Sequence, residues 1–277
     1  MKTALITIAL LATAISANSR EHIKLDMGKE FSGIKTSAPV DIYLCNKADS
    51  AGFVTYDIDP SINDILKIEV IDKTLTFSLE NNNREVMNDF FKKVSTVKVY
   101  LPEPLENITL SGAGDIDAAS SLSLADNVNI KISGAGDIEM EKIKTSTLSL
   151  SVTGVGDIEI DGLATESADI NVSGAGDVKI KRFTAQSADV TVTGVGDVKI
   201  DGQCKAAYMI VSGAGDISCR KLIADIVTAK VSGSGDINCY ASEMATATCS
   251  GVGDIDIYGE PATAKISGKK DNINIIK

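Results

Sequence analysis

Eight aspartates recur at a nearly constant interval between residues 115 and 254, and their type and spacing could support metal binding. Each is the fifth residue of a repeat of the form Ser/Thr-Gly-x-Gly-Asp-Ile/Val, and successive repeats begin 22, 20, 20, 20, 19, 20 and 18 residues apart. The aspartates are Asp115, Asp137, Asp157, Asp177, Asp197, Asp216, Asp236 and Asp254. If each repeat forms one coil of a solenoid, these carboxylates stack in a column with neighbours about 4.8 Å apart.

Two explanations account for such a column. Ca²⁺ ions between the coils would share carboxylate and turn-carbonyl oxygens, which are the ligands that Ca²⁺ takes in proteins. Alternatively, turn amides and the Ser or Thr hydroxyls neutralise each carboxylate locally, as a backbone nest does. Adjacent carboxylates at this spacing repel by about 0.9 kcal/mol in water and about 3.5 kcal/mol at an effective dielectric constant of about 20. Because local amides can offset that cost, the sequence favours a hydrogen-bonded column without a metal or cofactor, and a calcium-binding repeat module is the alternative.

Residues that usually carry catalysis are scarce in this chain. His22 is the only histidine, which argues against Ser-His-Asp and Cys-His schemes and against histidine metal sites. The outward column two residues after each aspartate is repetitive and typical of a solvated face, with pairing expected between Glu159 and Lys179. It consists of Asp117, Glu139, Glu159, Lys179, Lys199, Ser218, Asn238 and Asp256. No asymmetric pair of carboxylates stands out, so a non-enzymatic protein is predicted, and a carbohydrate-active β-helix enzyme is the less favoured alternative.

Apolar residues around the repeats indicate a strand on each side of every turn. One column, five residues before the aspartates, holds Leu110, Ile132, Val152, Val172, Val192, Val211, Val231 and Cys249. A second column is the Ile or Val that directly follows each aspartate. A third inward column, six residues after the aspartates, holds Ile143, Leu163, Phe183 and Leu222 but is interrupted by Gln203 and Ser242. Polar residues alternate with these columns, as in strands with one buried face. Since one coil cannot bury its core alone, the sequence predicts an all-β fold, a parallel β-helix with coils of about 20 residues.

The turn residues suggest how each coil bends. Glycine adopts positive φ without a Cβ penalty, so the Gly-x-Gly pair is expected to use that freedom. The Ser or Thr before it is expected to bond the backbone of its own turn.

These repeats, with "FSGIKTSAPVDIYLCN" near the N-terminus and "GDIDIYGEPATAKISG" near the C-terminus, resemble a bacterial family described as putative auto-transporter adhesin, head GIN domain. The resemblance covers roughly residues 30–277. It implies a right-handed β-helix on an exported protein, with an adhesin function and a protein or glycan partner at a cell surface or envelope. It supplies no catalytic residues.

The N-terminal third is less regular than the repeats. Residues 1–17 combine Lys2, an apolar stretch and small residues suited to cleavage, so a signal peptide is predicted, with no lipoprotein anchor and no transmembrane segment. Residues 18–105 are expected to form an irregular β region, with a diverged coil at Ser37–Leu44 and a hairpin turn at Asp72-Lys73. A short amphipathic helix is expected from the spacing of Val86, Met87, Phe90, Phe91 and Val94. Residues 106–277 then form the regular β-helix.

The C-terminal end, the cysteines and the charge complete the predictions. Asn272 takes the aspartate position of the last coil, so Ile273 and Ile275 are expected to point inward.

Cys219 and Cys239 share an inward column one coil apart. Their spacing permits a disulfide, but we favour two buried free cysteines that act as small hydrophobic residues. Cys204 is expected in a loop and Cys45 after a strand, and no cysteine spacing suggests zinc. The net charge of −11 argues against a nucleic acid partner.

Overall fold

The computed structural model describes residues 20–62, 64–80, 90, 93–118 and 122–277 of the chain. Those residues form a solenoid of stacked parallel β-coils, which confirms the predicted fold. Within this part of the chain, helical structure is confined to Phe90 and Lys93 and to the 3₁₀ turns Ala48–Ser50, Pro60–Ile62 and Lys270–Asn272. No helix in it has the length and apolar character needed to cross a bilayer.

Each regular coil has three sides around a buried core. The strands that lead into the Gly-x-Gly-Asp turns form the entry face, those that leave the turns form the exit face, and short strands close the coil on the return face. The strands of this region are β8 (Leu105–Leu110), β9 (Ile116–Ala118), β10 (Leu124–Ile132), β11 (Ile138–Met140), β12 (Ile143–Lys144), β13 (Thr147–Val152), β14 (Ile158–Ile160), β15 (Leu163–Ala164), β16 (Ser167–Val172), β17 (Val178–Val192), β18 (Val198–Val211), β19 (Ile217–Val231), β20 (Ile237–Cys249), β21 (Ile255–Tyr258), β22 (Thr263–Gly268) and β23 (Ile273–Ile276).

The register of these strands follows the apolar columns. Val152 pairs with Val172, and Val172 with Val192, and the same column continues coil by coil to Cys249. All eight members of this column are buried. Parallel in-register pairing therefore stacks like residues on like residues, and the core is one continuous set of Ile, Val, Leu and Ala contacts.

The coil that begins at Thr193 has 19 residues, and it places a different residue in the third inward column from the one predicted. Gln203 is exposed, and Gly202 instead pairs with Phe183 on one side and Leu222 on the other. Cys204 lies in β18, where it is buried between Ala185 and Ala224, so its assignment to a loop was wrong. The coil is one residue shorter, and the strand continues across the corner that the sequence suggested was a loop.

The N-terminal region covers one end of the solenoid with layers that do not follow chain order. Its strands are β1 (Glu21–Asp26), β2 (Gly33–Thr36), β3 (Ile42–Cys45), β4 (Phe53–Ile58), β5 (Leu66–Ile71), β6 (Thr74–Leu79) and β7 (Val97–Tyr100). The coil of β2 and β3 pairs with β8 and β9 on one side and with β6 and β7 on the other. It is therefore an interior layer, and the antiparallel strands β5, β4 and β1 lie beyond it.

The hairpin expected in this region is confirmed. β5 and β6 pair antiparallel, with Ile68 opposite Phe77 and Val70 opposite Leu75. The turn residues Asp72 and Lys73 both have positive φ, 47° and 60°, the conformation of a tight two-residue hairpin turn. The predicted helix falls largely on residues outside the described set; of its members, Phe90 and Val94 are described, are buried, and are joined by a bond from the Val94 N–H to the Phe90 carbonyl at 3.2 Å.

The C-terminal coil leaves part of the core open. Ile273 pairs with Ile255 and is buried, whereas Ile275 pairs with Ile257 but is 43% exposed. Ile275 therefore lies in the expected inward register, although its side chain remains partly exposed. The Lys269 ammonium donates to the Gly251 carbonyl at 2.8 Å, where earlier coils use a backbone amide.

Candidate functional site on the turns and outer faces

The aspartate column forms a hydrogen-bonded ladder along the turns. The backbone N–H of each repeat aspartate donates to Oδ1 of the aspartate one coil earlier, at 2.9 Å for Asp137 to Asp115 and 2.7 Å for each later pair. Asp41 of the diverged coil is the first acceptor, at 3.1 Å from the Asp115 nitrogen. Asn272 closes the ladder by donating its side-chain amide to Asp254 at 2.6 Å. Each carboxylate is thus stabilised by a charge-assisted bond from the next coil.

The donors differ in one respect from the expectation. The sequence suggested that each aspartate is neutralised within its own turn, whereas the bonds join neighbouring coils. The hydroxyls behave similarly, since Ser111 donates to the Thr36 carbonyl at 3.0 Å and Thr153 to the Ile132 carbonyl at 3.3 Å, both in the preceding layer. The polar residues of the turn therefore link successive coils.

The repeat glycines are required for a different reason from the one expected. None of them has positive φ; the positive-φ glycines of the described residues are Gly28, Gly52, Gly202, Gly259 and Gly268. A Cβ on Gly176 would instead lie 2.0 Å from the carbonyl oxygen of Gly156 in the coil before it, and a Cβ on Gly196 would lie 2.1 Å from that of Gly176. Close stacking of turn on turn excludes a side chain at these positions.

The ladder has consequences for the calcium alternative. One oxygen of each repeat aspartate is already an acceptor for a backbone amide or, at Asp254, for Asn272. In the part of the chain that the structure describes, no three His, Cys, Asp or Glu side chains are grouped closely enough to hold a metal ion. The column is therefore accounted for by hydrogen bonds between coils.

The exit face carries an acidic segment followed by a basic one. Glu159 accepts from Lys179 at 3.0 Å, which confirms the expected pair, and Lys181 bonds both Glu159 and Asp161, the latter at 2.8 Å. Hydrogen bonds from Lys181 and then Lys179 lower the pKa of Glu159, and the bond from Lys181 lowers that of Asp161. Burial, followed by the charges of Asp115 and Asp41, raises the pKa of Asp117. A shallow groove of about 310 Å³ lies along this segment.

Glu159 and Asp161 are held in ion pairs with Lys179 and Lys181. Asp117, Glu139 and Glu141 line the same groove, so it carries five carboxylates, two of which are paired with lysines.

A larger groove of about 560 Å³ lies on the entry face over the first coils. Its floor is an outward column in register, Asn107, Asn129, Ser149 and Asp169. The segment around Asp126 in β10 borders it. Sequence reasoning missed this groove, and the available signal was the first repeat step, which at 22 residues is longer than the others.

The cysteines of the core are free thiols. Cys219 and Cys239 pair across adjacent coils as expected, both are fully buried, and no disulfide joins them. Burial raises the pKa of Cys239 to about 12 and that of Cys204 to about 11, so both are protonated at neutral pH. Cys45 is the last residue of β3.

The chain matches the model of a known protein family. The model of the family described as putative auto-transporter adhesin, head GIN domain, matches residues 30–201 and 164–261. The chain belongs to this family. Its membership confirms the resemblance seen in the repeats, and the head GIN domain match covers both the interior layer of β2 and β3 and the regular coils.

Solved structures share the fold of this head GIN domain chain. A putative adhesin from Parabacteroides distasonis ATCC 8503 is 17% identical over 92% of this chain and 96% of that one, with a TM-score of 0.65. A putative adhesin from Parabacteroides merdae ATCC 43184 is 18% identical over 94% and 97%, with a TM-score of 0.63. A putative lipid binding protein from Parabacteroides distasonis ATCC 8503 is 19% identical over 94% and 98%, with a TM-score of 0.58. The search of curated proteins gives no significant match.

Proposed function

We propose that this protein is an exported, non-enzymatic binding module of the bacterial envelope that acts as an adhesin. The observation that carries the proposal is the repetition of outward side chains in register on successive coils, as in the entry-face column that runs from Asn107 through Ser149 to Asp189. Such an array offers the same kind of contact many times along one axis. Family membership supports an adhesin-like activity.

Export is supported by the N-terminal residues. Residues 1–17 have the basic start, apolar stretch and small residues of a signal peptide, and we place cleavage within about two residues of position 17. The mature protein would then comprise an irregular β region to residue 105 and the regular β-helix from residue 106. Its location would be the periplasm, the outer surface or the medium.

Repeated weak contacts explain how the shallow outer faces of the described coils could bind a partner firmly. When several sites on one rigid body engage a repetitive partner, each contact after the first is intramolecular and forms at high effective concentration. The solenoid is suited to this use because its coils have a fixed separation of about 4.8 Å. The partner would be a protein or a glycan displayed on a cell surface or envelope.

The proposal can be tested with protein-coated beads. Beads carrying the mature protein are expected to bind bacterial envelope preparations or host mucosal cells saturably, and soluble protein is expected to compete only at much higher concentration because it lacks bead multivalency. Beads carrying an unrelated protein of similar size and net charge are the control. Equal binding by the two kinds of bead on every surface would refute the adhesin function.

A further inference from the structure

We propose that the entry-face groove binds a glycan without acidic groups, one built of neutral or amino sugars. This inference rests on the proposed binding function and names its ligand class. The site is centred on the column Asn107, Asn129, Ser149 and Asp169, and it is bordered by Glu106 and Asp126.

The groove is produced by extra residues in one coil. Between β8 and β10 the register shifts: the chain advances two residues from Leu105 to Asn107 but five residues from the paired Leu124 to Asn129. The three additional residues of β10 form a bulge, and Asp126 lies within it. The fold does not require this bulge, because later coils pair along the same face without it. Bulges of this kind recur where a strand shapes a functional site.

The floor of the groove offers unused hydrogen-bonding groups. Asn107 and Asn129 are exposed, Ser149 is half-buried, and none of these three side chains bonds another described residue. Side-chain amides and hydroxyls both donate and accept, which matches sugar hydroxyls that also do both. Their separation of about one inter-strand step per coil lets a glycan lying along the solenoid axis contact several of them at once.

Two neighbouring contacts hold acceptors in place. Asn171 donates its side-chain amide to Oδ1 of Asp169 at 2.6 Å, which orients that carboxylate at the end of the floor. Thr147 donates to Oδ1 of Asn127 at 2.6 Å beside the bulge. Oriented polar groups bind a ligand with a smaller entropy cost than mobile ones.

The charge around the groove sets the ligand class. Glu106, Asp126 and Asp169 lie on it, and no Lys or Arg does. Residues 101–170 contain thirteen acidic and three basic residues, a net charge of −10 against −11 for the whole chain. Uronic and sialic acids would therefore be repelled, whereas neutral sugars are accepted and amino sugars are attracted.

A pair of matched substitutions tests the site. Ser149→Arg places a long side chain on the floor, and Thr228→Arg places the same side chain in the same column four coils further along, outside the groove. Both positions are half-buried, and both changes add one positive charge. Binding is measured by calorimetry with a neutral N-acetylated chito-oligosaccharide, its deacetylated form and an oligogalacturonate, with a melting curve to check that each variant is folded.

The expected result is binding of the neutral or deacetylated oligosaccharide, at least tenfold weaker in Ser149→Arg and unchanged in Thr228→Arg, with no binding of the oligogalacturonate. Equal affinities for the two variants, or a preference for the oligogalacturonate, would overturn the inference. If none of the oligosaccharides binds while protein-coated beads still adhere to periodate-treated surfaces, the glycan site is refuted and the adhesin function stands. If the beads adhere to no surface either, the proposed function fails independently.

Discussion

Glycine occupies two positions of every repeat because the coil before it leaves no room for a side chain. At Gly176 the obstacle is a backbone carbonyl, that of Gly156, which cannot move aside as a flexible side chain would. The spacing between parallel strands fixes this approach, so the requirement recurs at every coil. Stacking, and not an unusual backbone angle, therefore determines where glycine appears.

Gly176→Ala is accordingly expected to destabilise the protein by about 3 kcal/mol or more, since the clash forces neighbouring coils apart. Gly162→Ala is the control, because its Cβ would meet its nearest atom at 3.5 Å, an ordinary contact, and Gly162 does not have positive φ. That change is expected to shift stability by less than about 1 kcal/mol. Urea denaturation measures both, and similar losses from the two would show that stacking does not dictate the repeat glycines.

Glu159 makes stability depend on pH through its lysine partners. Its folded-state pKa is lowered, so it binds its proton less readily when folded than when unfolded. The ion pairs of Glu159 therefore stabilise the folded protein at pH values above the unfolded-state pKa of about 4.5. This stabilisation is lost as the pH falls through the lower folded-state pKa. Glu159→Gln is expected to lower the melting temperature slightly at pH 7, because exposed pairs are weak. The difference from wild type is expected to shrink as the pH falls below about 4.5 and through the lower folded-state pKa, and a difference that grows on acidification would contradict the ion pair.

At the scale of elements, the two ends of the solenoid are finished differently. The N-terminal end is covered by antiparallel strands, which cannot propagate a parallel stack. The C-terminal end has no such cover within the described residues, and its strands β22 and β23 each pair on one side. At this end, side chains donate the hydrogen bonds that backbone amides donate in earlier coils: Lys269 bonds the Gly251 carbonyl and Asn272 bonds Asp254.

Asn272 is expected to stabilise the last coil as a neutral donor. Asn272→Ala removes the bond to Asp254, and Asn272→Asp removes it and adds a carboxylate beside another. The expected order of stability is wild type, then Ala, then Asp, with the Asp variant lower by about 1–2 kcal/mol. Hydrogen exchange of β22 and β23 measures this locally, and faster exchange confined to those strands is expected. Equal protection in all three proteins would show that the ladder ends without a cap.

The sequence period predicts the strand register of the regular coils, but it does not predict local changes in coil length or the order of the N-terminal layers. The columns around Val172 gave the correct register because period two and a step near 20 residues leave one way to stack them. Cys204 was assigned to a loop because its coil is one residue shorter than its neighbours. The inward position predicted for Gln203 therefore falls on Gly202, and Cys204 becomes the next buried residue of the strand. The interior position of β2 and β3 could not be foreseen, since chain order implies that the first coil is an end. The groove depends on a bulge, which a sequence shows only as extra length.

At the scale of the whole molecule, charge is concentrated in a few coils. Residues 101–170 hold −10 of the net charge of −11, and the remaining residues are almost neutral. The ladder aspartates are spread evenly along the solenoid, so the excess comes from the outer faces. A carboxylate at every coil is tolerated because each receives an N–H donor from the next coil, a backbone amide in all but Asp254, which receives the Asn272 side chain. The acidic outer faces are confined to the first regular coils, so the two halves of the solenoid differ in charge.

The response to ions distinguishes a hydrogen-bonded ladder from a calcium-filled one. If Ca²⁺ occupied the aspartate column of the folded state alone, it would stabilise the protein by about 2.7 kcal/mol per site at 100 times the dissociation constant. We expect instead a small rise in melting temperature that is equal in Ca²⁺ and Mg²⁺, because both screen repulsion within the acidic coils. EDTA-treated protein is the reference, and Asp177→Asn with Asp197→Asn is the matched variant, since an Asn oxygen can still accept the amide bonds that these residues receive at 2.7 Å. A rise of many degrees with Ca²⁺ alone, abolished in that variant, would establish the calcium-binding repeat module in place of the hydrogen-bonded ladder.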